Sequence, residues 1–133
     1  YTHVFCSGQD PAQHPTVILI HGLGGTLNIW DPIAGVLENR FSVLRYDLRG
    51  HGQSDVPAGD WSLEDFVHDL EAIFIDESLP HAHLVGFSLG GLIVQQFALS
   101  YPERVGQLAI LKIEERRVGK DVDLGGRRII KKK

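Results

Sequence analysis

The sequence predicts an α/β fold with a mostly parallel sheet across residues 1–111, and three observations carry that prediction. Runs of β-branched and apolar residues alternate with segments of helical period, the pattern of a parallel sheet with crossover helices. Glycine-bearing stretches, "HGLGG", "DLRGHGQSD" and "GFSLGG", stand where three of the strand runs end. One helix carries both a start signal and an unbroken apolar stripe.

In chain order, Thr2 to Cys6 reads as an outer strand, and Thr16-Val17-Ile18-Leu19-Ile20-His21 as a strand buried on both faces. Asp31-Pro32 offers an N-cap followed by proline at the first helical position, opening a short helix towards Glu38. Phe41 to Tyr46 is the next strand. Ser62-Leu63-Glu64-Asp65 forms a capping box, and Leu63, Phe66, Val67, Leu70, Ile73 and Phe74 then fall on one helical face. His83 to Gly86 reads as a strand, followed by a helix that starts just after Ser88 and runs through Leu92, Ile93 and Phe97 until Pro102 stops it. Val105 to Leu111 is the last strand. The Thr16 and His83 strands should be central neighbours, with the Val105 strand an uncovered edge that leaves apolar surface exposed.

A chain of 133 residues has room for one domain with one core. Its 43% hydrophobic and 23% charged residues argue against disorder, and no apolar run is long enough to cross a bilayer. Cys6 stands alone, so no internal disulfide can form. The chain starts at Tyr1 and holds no methionine, so its first residue is expected to be a cut and a preceding targeting peptide would be invisible. A cytoplasmic location and no membrane partner are the expectation; oligomeric state is not legible. Charge is uneven: residues 1–111 hold four basic side chains against thirteen acidic, whereas residues 112–133 hold nine against four.

Gly86 to Gly90 fits G-x-S-x-G between a predicted strand and a predicted helix, the setting of a nucleophile elbow. Ser88 would sit on a turn too sharp for ordinary backbone angles. The positions two before and two after it, Gly86 and Gly90, would lie too close to neighbouring elements for a side chain. The hydroxyl is thereby raised above the C-terminal edge of the sheet, at a helix start whose N–H groups favour negative charge. Attack on an ester carbonyl creates an oxyanion that needs two preorganised donors, and the backbone N–H groups of Leu23 and Leu89 are the candidates. His21 and Gly22 support the first of these, in His21-Gly22-Leu23-Gly24-Gly25. A phosphate-cradling reading of that loop lacks G-x-G-x-x-G and the P-loop lysine.

With "RYDLRGHGQS" after the middle strand, these motifs in this order resemble the α/β-hydrolase family over about residues 3 to 111. The resemblance implies the N-terminal part of a mostly parallel hydrolase sheet with crossover helices, ending after the strand that follows the Ser88 helix. Asp47, Arg49 and His51 are then parts of a structural turn. Trp30, "VLRYDLRGHGQSD" and "HLVGFSLGGLI" look most like the enol-lactonase and small-esterase branch. That implies a cofactor-independent, metal-free hydrolase of a small ester or lactone. The alternatives are a same-fold carbon–carbon bond hydrolase or haloperoxidase-like enzyme, and a non-catalytic binding protein. A dehalogenase would usually carry aspartate at position 88.

A serine nucleophile needs a histidine base held by a carboxylate, and the family order is serine, acid, histidine. All seven histidines precede Ser88, the last being His83, so the acid and the base are expected to be missing and this chain to be inactive. His68 falls on the polar side of its helix, and His81 with His83 lack a third ligand for a metal. Asp121 and Asp123 follow Ser88 but lie in the basic segment 112–133. That segment, "KIEERRVGKDVDLGGRRIIKKK", has no aromatic residue and its acids interrupt the basic run, so a nucleic-acid partner is not expected. Written with permitted codons, "EERRVGK" becomes GAA GAG CGT CGT GTA GGG AAA and "DLGGRRII" becomes GAT CTC GGT GGT CGC CGT ATC ATT. Both strings resemble a sequencing-library adapter, so residues 112–133 are expected to be disordered, translated adapter rather than native protein.

Overall fold

The computed structural model describes residues 1–111, and the expectations for residues 112–133, Asp121 and Asp123 included, lie outside the described residues. Among the described residues the strands are β1 (Val4–Gly8), β2 (Thr16–Ile20), β3 (Ser42–Tyr46), β4 (Ala82–Phe87) and β5 (Val105–Leu111). They form one sheet in the order β1-β3-β2-β4-β5, with β1 antiparallel to β3 and every other pairing parallel. The α-helices among the described residues are α1 (Asp31–Leu37), α2 (Leu63–Asp76) and α3 (Leu89–Ser100).

All five residues of β2 and of β3 are buried, because helices cover both faces of the sheet. Strand residues alternate between two cores. Ile18, Ile20, Leu44, Tyr46 and Leu84 face α2 and α3, meeting Leu70, Phe74, Ile93 and Phe97; Val17, Leu19 and Val43 face Ala34 of α1 and Trp30 just before it. The capped helix sits as its stripe predicts, with Phe66, Val67, Leu70, Ile73 and Phe74 buried, and the Asp65 carboxylate accepts the Ser62 N–H at 2.8 Å. His68 is on its exposed side.

Asp31 departs from the sequence reading. A 3-10 turn, Leu27–Trp30, precedes α1 and is capped by Thr26, so Asp31 is already helical and Trp30 stands at the cap position without a side-chain bond. The Asp31 carboxylate instead accepts from Arg45 Nη1 at 2.6 Å. β5 lies at the sheet edge with Leu108, Ile110 and Leu111 exposed, as the sequence predicts. Among the described residues, no helix is long and apolar enough to cross a membrane.

Candidate active site

The parallel register brings three loops to one end of the sheet. Ile20 pairs with Tyr46 on one side and with Gly86 on the other, so β2, β3 and β4 finish level and each releases its glycine-bearing stretch at the same edge. Sequence positions about 25 and 40 residues apart therefore become neighbours.

Ser88 follows the last of these strands and caps α3. It is exposed, and its backbone has φ 57° and ψ −118°, a region that side chains rarely occupy and that costs about 1–3 kcal/mol. The surrounding glycines make room for that turn. A Cβ on Gly86 would run into the Gly90 carbonyl oxygen, and one on Gly90 into the Ile20 carbonyl oxygen, which are backbone atoms of packed elements. The spacing two before and two after Ser88 is thus a steric requirement. The Ser88 side chain makes no capping hydrogen bond to α3, and its carbonyl accepts from the Gly91 N–H at 2.8 Å.

The loop after β2 lies against this turn. A Cβ on Gly22 would be 2.8 Å from the Ser88 Cβ and 3.1 Å from the Phe87 carbonyl oxygen. Leu23 is exposed beside it, and Gly24 has φ +81°. Leu89 opens α3, so its N–H belongs to the first helical turn, which has no intrahelical acceptor. Gly22, Gly86, Leu89 and Gly90 accordingly gather around Ser88, and Leu23 follows Gly22 in the chain.

His21 is fully buried behind the loop. Its Nδ1 lies 2.7 Å from the Gly22 carbonyl oxygen and its Nε2 accepts the Leu48 N–H at 3.0 Å, which fixes a neutral ring with hydrogen on Nδ1. Burial holds its pKa below the ordinary histidine value; the Gly22 hydrogen bond and the Asp47 charge oppose that shift, and His51 adds to it. His51 is similarly engaged, with Nδ1 2.9 Å from the Arg49 carbonyl oxygen and Nε2 accepting the Gly24 N–H at 2.9 Å.

The turn after β3 is a bracket for the loop. Asp47 accepts the Leu27 N–H at 2.8 Å through one oxygen and the Gln53 N–H at 2.9 Å through the other, and Arg49 makes a two-point ion pair with Asp69 of α2 at 2.7 and 2.8 Å. The sequence identifies this stretch as a structural turn but gives no sign of what it holds, because Gly24 and His51 are 27 positions apart. At the opposite end of β4, the His83 Nδ1 accepts the Gln107 N–H at 2.8 Å. Among the described residues no group of three His, Cys, Asp or Glu side chains could hold a metal ion.

The chain is similar in structure and sequence to several hydrolases. A hydrolase from Pseudomonas aeruginosa PA01 is 34% identical, with a TM-score of 0.79 over 84% of this chain and 42% of that one. The enol-lactonase from Burkholderia xenovorans LB400 is 31% identical, with a TM-score of 0.78 over 80% of this chain and 41% of that one. The 3-oxoadipate enol-lactonase 2 of Acinetobacter baylyi is 32% identical over 99 residues, which cover 74% of this chain and 37% of that protein. The chain thus spans well under half the length of these proteins. Its sequence matches the alpha/beta hydrolase fold over residues 15–129, and the chain belongs to that family.

Proposed function

We propose that Ser88 is the nucleophile of a hydrolase acting on a carboxylic ester or lactone, with the backbone N–H groups of Leu23 and Leu89 as the oxyanion donors. The observation that carries this reading is the exposed, positive-φ backbone of Ser88 at the start of α3 with the Gly22 loop packed against it. The enol-lactonase names among the similar proteins support an ester or lactone carbonyl, while the putative carbamate hydrolases of Escherichia coli among them, 39% identical over 71% of this chain and 36% of that protein, keep a carbamate carbonyl as the second reading.

In this mechanism the Ser88 Oγ attacks the carbonyl carbon while its proton passes to a base. The C–O π electrons move onto the carbonyl oxygen, where the two N–H groups and the helix start stabilise the charge. Collapse expels the alcohol oxygen, which takes the proton back from the base, and leaves an acyl ester on Ser88. Water then repeats the sequence to release the acid. A lactone yields a single hydroxy acid, because leaving group and acyl group are one molecule.

Neither neighbouring histidine is free to be the base. His21 and His51 each commit both ring nitrogens to the backbone, and no histidine follows Ser88 in the 133 residues. With no free histidine base beside Ser88 among the described residues, this chain by itself shows no turnover. An assay with an aryl acetate checks this: turnover by the 133-residue chain that disappears in Ser88→Ala would overturn the assignment of the missing base. Hydrolysis of a lactone against a simple ester by the full-length polypeptide tests the branch; preference for an unactivated carbon–carbon bond would refute it.

A further inference from the structure

We propose that His51 is a positioning residue for the loop that presents the Leu23 N–H to Ser88. This rests on the reading of Leu23 as an oxyanion donor. His21, Gly22 and Leu27 are buried but Leu23 and Gly24 are exposed, so burial does not hold the tip of the loop in place; its hydrogen bonds do. The Gly24 N–H donates to His51 Nε2 at 2.9 Å, one residue from the donor in question.

The acceptor state of that nitrogen is set by the other side of the ring. A carbonyl oxygen can only accept, so the Arg49 oxygen 2.9 Å from Nδ1 requires hydrogen on Nδ1 and leaves Nε2 bare. His21 repeats the arrangement in reverse: it belongs to the loop side, and its Nε2 accepts the Leu48 N–H of the turn at 3.0 Å. The two rings cross the gap side by side, with centroids 5.3 Å apart. With Asp47 accepting the Leu27 N–H at the far end of the loop, residues 21–27 are tied to the turn at three points. Of the three ties, His51 is the one that reaches the exposed tip, next to Leu23.

The distinction between a general structural role and positioning of the tip lies in the acceptor atom. Glutamine can place an acceptor oxygen near the imidazole Nε2; leucine has the bulk without an acceptor. Hydrogen–deuterium exchange read by mass spectrometry on the 133-residue chain separates them. His51→Leu should speed exchange of peptides covering residues 22–26 by about fivefold or more, the effect of losing one ordinary hydrogen bond, with peptides from β2 and β4 unchanged. His51→Gln should return the tip to within about twofold of the parent. Nitrogen-15 NMR of labelled histidine in the unsubstituted chain should show His51 with hydrogen on Nδ1, a result that needs no variant to fold. Unchanged tip exchange in His51→Leu, a His51→Gln variant as loose as His51→Leu, or hydrogen on Nε2 would each overturn the proposal. Labelling of Ser88 reads separately: an ordered tip in a full-length protein whose Ser88 never reacts refutes the hydrolase reading, whereas a loose tip beside a reactive Ser88 refutes only the role of His51.

Discussion

Replacing Gly90 with alanine tests whether the Ser88 turn is held by backbone contact. The added Cβ would overlap the Ile20 carbonyl oxygen and come within 2.7 Å of the His21 carbonyl oxygen and 2.8 Å of the Ile20 carbonyl carbon. None of these is the tip of a flexible side chain. Relief requires α3 to withdraw from the end of β2, and core overpacking of this kind costs about 1–3 kcal/mol, with rigid backbone neighbours placing it at the upper end. An effect of about 3 kcal/mol is a large share of the ordinary 5–15 kcal/mol stability of a domain. Two other glycines calibrate it. At Gly91 the nearest atom to a new Cβ is the Ile110 Cγ2 at 2.9 Å, a side chain at the exposed sheet edge that can move, so Gly91→Ala should cost much less. At Gly35, inside α1, a Cβ meets nothing within 4 Å, and Gly35→Ala should stabilise by about 0.5–1 kcal/mol through helix propensity. Urea unfolding followed by circular dichroism reads all three, and with a slope of about 1–3 kcal/mol per molar the Gly90→Ala midpoint should fall by roughly 1–3 M. A Gly90→Ala midpoint equal to that of the parent, or one no lower than that of Gly91→Ala, would refute the steric account of the turn.

Acid should weaken the fold through His21. Its folded pKa lies below its unfolded value, so the unfolded chain binds the proton first; the stability is fully present above about pH 6.5 and declines as pH falls from there towards the folded pKa. Urea midpoints at pH 7.5, 6 and 5 check this, and a midpoint that rises on acidification contradicts it. The exposed face of β5 should drive association of the isolated chain, so sedimentation velocity should show larger species with rising concentration, reduced in Leu108→Lys; a monomer at all concentrations would count against the open edge. The family match runs to residue 129, into the segment read as adapter; the adapter reading predicts that genomic DNA does not encode Lys112 to Lys133, and sequencing of the locus that returns those codons ends it.

The fold is legible in the sequence where its determinant is local. The capping box at Ser62 and the stripe from Phe66 to Phe74 lie within a dozen residues and settle α2 without help from the rest of the fold. The glycines around Ser88 are legible because their requirement arises from one strand, one turn and one helix. The start of α1 departs from the sequence expectation because Thr26 captures the chain into a 3-10 turn first and Arg45, fourteen residues away, claims the Asp31 carboxylate. The antiparallel pairing of β1 with β3 and the grip of His51 on Gly24 are products of sheet order and register, to which no spacing in the sequence points. The turn after β3 was therefore recognised as structural while its partner was not.

Covalent labelling tests the proposal that Ser88 is a reactive nucleophile. The full-length polypeptide treated with a fluorophosphonate should carry the adduct on the peptide containing Ser88, and Ser88→Ala should abolish it. A folded full-length protein that takes no label, or that takes the same label after Ser88→Ala, would contradict the account.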